Sequence, residues 1–555
     1  MTLGELCRTR ASDPADAERV HLRFERARWT FADTHRQACR YANLFLSLLD
    51  VSKPRHVGLL LENRPEFVFA ELGTAIGGAV TVGLNPTRRG EHLARDVAYS
   101  DCQVVVTEPK FAPLLRDALA TPDAPRPHVL VAEENLDDAL ARASDVDPCV
   151  PVAPEDLCVI VFTSGTTAGP KGVLRSHGQL FLMSTGAGYM MAGATRDDVV
   201  YCAMPLFHAN AQILALGLSL AVPCGLALAR RFSKTQFLAD VRRYGATLFN
   251  YVGSPLAYVM DTPERPDDAD NPLRLAYGNE GPRQHLEAFA RRFGCKVVDG
   301  YGSSEVGVSI QRADGDPPGS LGRAGDGVKI LREDGSECAV ACFDAAGRLA
   351  NADEAIGEIV NVESSGRFEG YWRNEAATAA RTRGGRYYSG DLGYRDADGY
   401  VYFAGRDVEW LRVDGENFLA RPVEEILARH PAVSLCAVYG VPDPDAGDRV
   451  MAALELRAGA AFDPAEFARF LDAQTDLSPK WRPTWVRIAG ALPRSETNKV
   501  MKRQLAREKF LAVDGPDPLW WRPRGAADYG RFGADDLATL RLQFERAGHL
   551  GRLAT

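Results

Sequence analysis

The segment Val159-Ile-Val-Phe-Thr-Ser-Gly-Thr-Thr-Ala-Gly-Pro-Lys-Gly172 joins an apolar run to a loop of small, hydroxylated and glycine residues with one lysine. A buried strand ending at Phe162 opens there into a loop where glycines let backbone N–H groups converge on an anion. The hydroxyls of Thr163, Ser164, Thr166 and Thr167 add donors beside Gly165, and Lys171 supplies positive charge. That is the chemistry of a triphosphate cradle. It is not the Walker A form: the spacing fails at Pro170, and Gly172 stands where a magnesium-binding Ser or Thr follows the lysine. A plain Gly/Ser linker seldom follows so apolar a strand, which favours a ligand loop.

Working outward, the chain alternates between strand and helix. Residues 56–61 form a short apolar run, 65–77 carry helical spacing and 79–84 are apolar again. Residues 89–99 read as helix, 103–107 and 129–132 as strands, and the pattern resumes at 157–162, 246–251 and 296–298. This alternation predicts a mostly parallel sheet covered on both faces. After Asp353 the character changes, with 357–362 and 400–404 reading as strands of a more antiparallel, barrel-like unit. Residues 406–417 mix charge with glycine, as an exposed connection does. Beyond them 421–428 and 464–473 read as helices and 434–441 as a strand. The expected division is a large α/β domain over 1–405, a small mobile α+β lid over 406–511, and a tail over 512–555 that packs on the enzyme. The tail carries Trp520, Trp521 and a helical stretch at 534–547.

Composition narrows the function classes. The 555 residues carry a net charge of -9, so the basic surface that nucleic-acid binding needs is not expected. Eleven cysteines show no metal-ligand spacing, Cys338 and Cys342 being one residue too wide for a C-x-x-C pair, and they read as reduced cytosolic thiols. Glu5, Arg8, Arg10, Asp13, Asp16 and Glu18 exclude a secretory leader at the start of the sequence. Residues 213–229 are almost wholly apolar but interrupted by Gly217, Pro223 and Gly225. They predict a buried helix running into a buried strand, with peripheral membrane contact as the alternative.

Thr163-Ser-Gly-Thr-Thr-Ala-Gly-Pro-Lys171 resembles the signature of the adenylate-forming superfamily of acyl-CoA synthetases, peptide-synthetase adenylation domains and luciferases. Further segments resemble the family's other motifs, in the family's order. In Gly300-Tyr-Gly-Ser-Ser-Glu305, a loop after the strand at 296–298, the resemblance lays Tyr301 on adenine, turns Ser304 toward phosphate and puts Glu305 near Mg2+. Asp299 and Gly300 flank the same nucleotide. Tyr388-Ser-Gly-Asp391 resembles the ribose motif, with Asp391 as the contact, and Arg406 corresponds to an arginine near ribose and phosphate. Pro493-Arg-Ser-Glu-Thr-Asn-Lys499 resembles the last motif, with Asn498 in place of the usual glycine, and Lys499 is implied to reach the α-phosphate. Pro205-Leu-Phe-His208 resembles the border of the acyl pocket, where His208 orients substrate, and Tyr251, Val252, Gly278 and Gly302 are further expected pocket residues.

The resemblance implies ATP-dependent adenylation of a small acid, with positioning and electrostatic stabilisation in place of a covalent enzyme intermediate. Coenzyme A is the implied acceptor after the small domain rotates, although Val408 occupies a hinge position that usually holds Asp or Lys. Trp410-Leu-Arg-Val-Asp-Gly-Glu-Asn417 and the tryptophan-rich tail resemble the actinobacterial fatty acyl-CoA ligase and fatty-acid transport protein branch. Without a carrier-protein serine motif, a stand-alone ligase for a fatty or aromatic acid is expected, working in the cytoplasm. Two alternatives stand beside it. One is a diazotase-type enzyme that adenylates nitrite and condenses it with an aromatic amine, with which Val408 and the polar 277–281 stretch are compatible. The other is a lipid-binding protein without catalysis.

Overall fold

The computed structural model describes residues 1–554 except 89, 121–124, 164–170, 254, 280, 282, 314, 318, 345–348, 364–367, 407–409, 414–415, 445–447, 475–476, 478–479, 496–499, 524–525, 527 and 548. Two large sheets dominate the first three hundred residues. The first runs in the order His128–Val131, Cys102–Thr107, His56–Leu60, Val80–Gly83, Leu157–Thr163 and Lys171–Ser176. Its neighbours are parallel until the last pair, which is antiparallel. The alternation of short apolar runs with helices has this outcome because parallel strands need covered crossovers.

The second sheet runs Ser309–Gln311, Lys296–Gly302, Leu275–Asn279, Leu248–Val252, Val199–Cys202, Gly225–Leu228, Val20–Phe24 and Ala27–Thr30. Its interior pairs are parallel and its two edge pairs antiparallel. The first strand of the chain therefore docks beside a strand some two hundred residues later. Helices Phe31–Leu48 and Pro65–Gly77 pack against each other in the main core, with Tyr41, Phe45, Phe67 and Leu72 buried. A capping box of Thr30 and Asp33 opens the first helix, and Gly78 at φ +63° closes the second in the left-handed region.

The apolar stretch behaves as its sequence predicts. A π-helical turn over Gln212–Gly217 leads into Leu218–Ala221 and then the buried strand Gly225–Leu228. Among the described residues no helix is long and apolar enough to cross a membrane. All eleven cysteines are free thiols.

Three expectations are corrected. The antiparallel unit begins before Asp353, because Ser320–Arg323 and Val328–Leu331 join Gly357–Asn361, Arg386–Arg395 and Tyr400–Arg406 in one sheet. The strand at 296 does not stop at 298 but continues through Gly302, where Ser309–Gln311 pairs with it. Residues 406–417 are not simply an exposed connection. Trp410–Val413 and Glu416–Leu419 form a hairpin that buries Leu411 and Val413.

After this hairpin, Val433–Pro442, Asp448–Leu456 and Trp485–Ala489 build a separate sheet. The residues past Leu511 supply its last two strands, Leu519–Trp521 and Gly530–Phe532, and helix Ala534–Arg546 covers it with Leu537, Leu540 and Phe544. Trp485 stacks between Phe510 at 4.3 Å and Trp521 at 5.3 Å, which welds these final residues to the unit before them.

Candidate active site

The carboxyl ends of the second sheet's parallel strands, the antiparallel hairpin Leu157–Thr163/Lys171–Ser176 and the strands at 386–406 meet around one region. At the hairpin, Thr163 and Lys171 are register partners, while Ser164, Gly165, Thr166 and Thr167 lie outside the described residues. Lys171 Nζ sits 5.4 Å from the centre of the Tyr371 ring. The hydroxyl of Tyr371 in turn donates to Glu305 Oε1 at 2.9 Å. Burial, followed by the Glu305 carboxylate, raises the pKa of this phenol, so it stays a proton donor at neutral pH. Glu305 is thereby a half-buried carboxylate held in place, a hard oxygen donor of the type Mg2+ takes.

Tyr371 belongs to a segment the motifs did not single out. Residues 370–372 run alongside the hairpin, Leu174 N donating to Gly370 O at 3.0 Å and Trp372 N to Gly172 O at 2.7 Å. Glu369 accepts both the N–H and the hydroxyl of Ser176, at 2.6 and 2.5 Å. The run Phe368-Glu-Gly-Tyr-Trp372, aromatics around one glycine, was the available signal. Arg175, 1% exposed, donates to the Ser304 carbonyl and to Gln179, and burial lowers its pKa to about 10. Ser304 and the hairpin are thus fastened together by a buried guanidinium.

The nucleotide motifs converge in the same way. The Tyr301 hydroxyl donates to Asp391 Oδ2 at 2.6 Å, joining residues 90 positions apart, and the Phe403 ring lies 6.1 Å from that of Tyr301. Burial, then Asp391, raises the Tyr301 pKa. Asp391 is 3% exposed and its backbone is the register partner of Arg406. Gly390, at φ +70°, makes the turn into Asp391, and a Cβ there would lie 2.2 Å from Arg381 Nη1. Lys499 and Val408 lie outside the described residues.

On the second sheet, Tyr251, Gly278 and Asp299 are aligned across three parallel strands. Asp299 Oδ1 accepts from the Tyr251 hydroxyl at 2.7 Å and from Gly281 N at 2.9 Å. The Tyr251 ring is buried with Tyr201 and Phe249 on the face opposite Val252, where its hydroxyl props Asp299. Gly300 pairs with Asn279 and Gln311, and Gly302 with Ser309, which fixes the approach to Tyr301. His208 precedes the short helix Ala209–Ala211 with its ring 4.3 Å from that of Phe207. Away from this region His35, Cys39 and Asp147 come together, but Arg8 holds Asp147 by two bonds of 2.6 and 3.0 Å, and the group reads as an ion-pair network.

Residues 8–372 match the family of AMP-binding enzymes, and residues 422–499 match the AMP-binding enzyme C-terminal domain. The chain belongs to this AMP-binding enzyme family, as the ordered motifs led us to expect. It is similar to the medium/long-chain-fatty-acid–CoA ligase FadD17 of Mycobacterium marinum, with 46% identity over 503 residues, 90% of this chain and 94% of the relative. It is also 42% identical to the steroid-22-oyl-CoA synthetase of Rhodococcus jostii over 542 residues, 96% of each chain. The resemblance to the actinobacterial acyl-CoA ligase branch is borne out. Among solved structures, ATP-bound MatB from Rhodopseudomonas palustris matches with TM-score 0.77 and 26% identity, over 91% of this chain and 98% of that one. The anthranilate CoA ligase AuaEII with anthranoyl-AMP, at 23% identity, shares the fold with TM-score 0.82 over 93% and 98% of the two chains.

Proposed function

We propose that this enzyme activates a carboxylic acid with ATP and passes the acyl group to coenzyme A. In the first half-reaction a carboxylate oxygen attacks the α-phosphorus, the bond from that phosphorus to the bridging oxygen breaks, and pyrophosphate leaves from acyl-AMP. In the second the thiol sulfur attacks the acyl carbon, AMP departs with the bonding pair, and the thiol proton is released. The Tyr301–Asp391 hydrogen bond carries this reading, because it joins a base-stacking ring to a ribose-binding carboxylate at one place. The relatives named above are acid–CoA ligases.

Each residue then has a task. Tyr301 offers its ring to adenine, with Asp299 and Gly300 beside it, while Asp391 accepts from the ribose hydroxyls and Arg406 stands near ribose and phosphate. The Thr163–Lys171 loop and Ser304 hold the phosphates. Lys499 reaches the α-phosphate and the attacking oxygen, where two anions crowd. Glu305 is the residue that would hold Mg2+, whose charge when bound offsets that of the triphosphate. His208 orients the carboxylate, and Val252, Gly278 and Gly302 line the way to the acyl group.

The large unit over 1–405 supplies the nucleotide platform, and the unit from 406 onward acts as a lid that carries Lys499 in and out. A cytoplasmic site of action accords with ATP and coenzyme A as substrates. The acid is a medium or long fatty acid or a steroid acid, by likeness to the two relatives. Nitrite adenylation has no support among them. The test is ATP-dependent pyrophosphate release with octanoate, dodecanoate, palmitate and a steroid acid, followed by thioester formation on adding coenzyme A. Absence of release with every acid would sink the reading.

A further inference from the structure

Two polar side chains stand one step deeper than the residues assigned to the mouth of the acid pocket. Gln212 N donates to the His208 carbonyl at 3.2 Å, so Gln212 follows His208 by one turn of backbone. Asn250 precedes Val252 by two residues on one strand, so both side chains leave the same face of the sheet. The register partners of Asn250 are Tyr277 and Cys202, and the Tyr277 hydroxyl donates to the Leu214 carbonyl in the π-helical turn. Strand face and helical turn therefore face each other in the main core.

Gln212 is 1% exposed and Asn250 0%. Among the described residues, neither Nδ2 nor Oδ1 of Asn250 has a hydrogen-bond partner, and Gln212 Nε2 has none. Buried amides are almost always paired, because an unpaired one forfeits its hydration. A pocket built for a plain alkyl chain gains nothing from such groups and is weakened by them. Aliphatic residues of the same volume would serve it better.

Resting on the reading of this site as acid-activating, we propose that the enzyme selects a hydroxylated acid, an apolar skeleton carrying a hydroxyl remote from its carboxylate. A hydroxyl is the group that fits both kinds of orphan atom. Its oxygen accepts from Asn250 Nδ2 or Gln212 Nε2, and its hydrogen goes to Asn250 Oδ1. Sites that hydrogen-bond a substrate hydroxyl discriminate strongly against the analogue lacking it, because the protein's own polar groups are then left unpaired.

The test measures kcat/KM for pyrophosphate release with dodecanoate and its singly hydroxylated isomers, and with 5β-cholanate and its 3-hydroxy derivative. At least one hydroxylated acid is expected to exceed its parent by about tenfold or more. Asn250→Leu and Gln212→Met should each shrink that margin, shifting preference toward the parent acid. Parent acids used as well as every hydroxylated one, or a margin that survives both substitutions, would overturn the proposal while leaving acid activation intact. No release with any acid would remove acid activation itself, and the proposal with it. If Asn250→Leu melts early, the wild-type margin and Gln212→Met decide.

Discussion

Asp391 does two things with one carboxylate. It accepts from Tyr301 in the protein and, in the function proposed above, accepts from a ribose as well. Asp391→Ala removes both, and hydrogen bonds to a charged group contribute about 1.5–3 kcal/mol each. The KM for ATP is expected to rise about 10- to 100-fold, as initial rates of pyrophosphate release would reveal; a KM within twofold of wild type would contradict the assignment. Glu71 supplies a second prediction. It is 1% exposed on helix Pro65–Gly77, neither oxygen is partnered among the described residues, and burial raises its pKa from 4.5 to about 8. The folded chain therefore binds a proton there that the unfolded chain has lost, between pH 4.5 and about 8. Its contribution to stability is fully present below pH 4.5 and is lost as pH rises toward 8. Glu71→Gln should raise the melting temperature over wild type by a few degrees at pH 8, with little gain at pH 4.5; calorimetry at the two pH values checks the sign. Tyr301, Asp391 and Glu305 were legible in the sequence because short motifs carry them. Tyr371 was not, since its meaning comes from Glu305, 66 positions away, and from Lys171 across a different strand pair.

Strand packing around Gly278 leaves no room for a side chain. A Cβ there would lie 1.9 Å from the Tyr251 carbonyl oxygen, a backbone atom that cannot swing aside. Gly278→Ala is expected to cost about 1–3 kcal/mol of stability, read from denaturant unfolding, and to lower pyrophosphate release by disturbing Tyr251 and Asp299. Unfolding midpoints and rates unchanged from wild type would contradict that packing. The parallel strands were readable as apolar runs between helical spacings because both of their faces are covered. The hairpin over 410–419 was misjudged even though Leu411 and Val413 alternate with polar residues, since charge and glycine in the same stretch masked a period of two. The π-helical turns at Ala187–Met191 and Gln212–Gly217 left no trace in the sequence. Their register follows from packing such as Gly217 against Ser184, where a Cβ would meet the hydroxyl at 2.0 Å.

Among the described residues the two units meet through apolar and polar contacts, Ala257 being buried in the core of the C-terminal unit with Tyr258 packed beside it. Arg457 pairs with Asp261 at 3.3 Å, and the Arg494 guanidinium lies 4.6 Å from the Tyr258 ring. Both of these polar contacts involve exposed or partly exposed cations, which the proposed lid motion would break at little cost. If Lys499 works only when the C-terminal unit closes for adenylation, Lys499→Ala should abolish acyl-AMP formation while sparing thioester formation from preformed acyl-AMP. Following both half-reactions separately tests this, and equal loss of the two would contradict the division of labour.

The docking of Val20–Phe24 beside Gly225–Leu228 has a consequence for how the molecule is made. Translation delivers about 5–20 residues each second, so the first strand emerges from the ribosome roughly 10–40 s before its parallel neighbour exists. During that interval Leu22 and Phe24, buried in the finished protein, have only the adjacent strand Ala27–Thr30 to pair with and no parallel sheet to cover them. Nascent chains stalled short of residue 225 should therefore be bound by chaperones through their beginnings, and released once that later strand has cleared the exit tunnel.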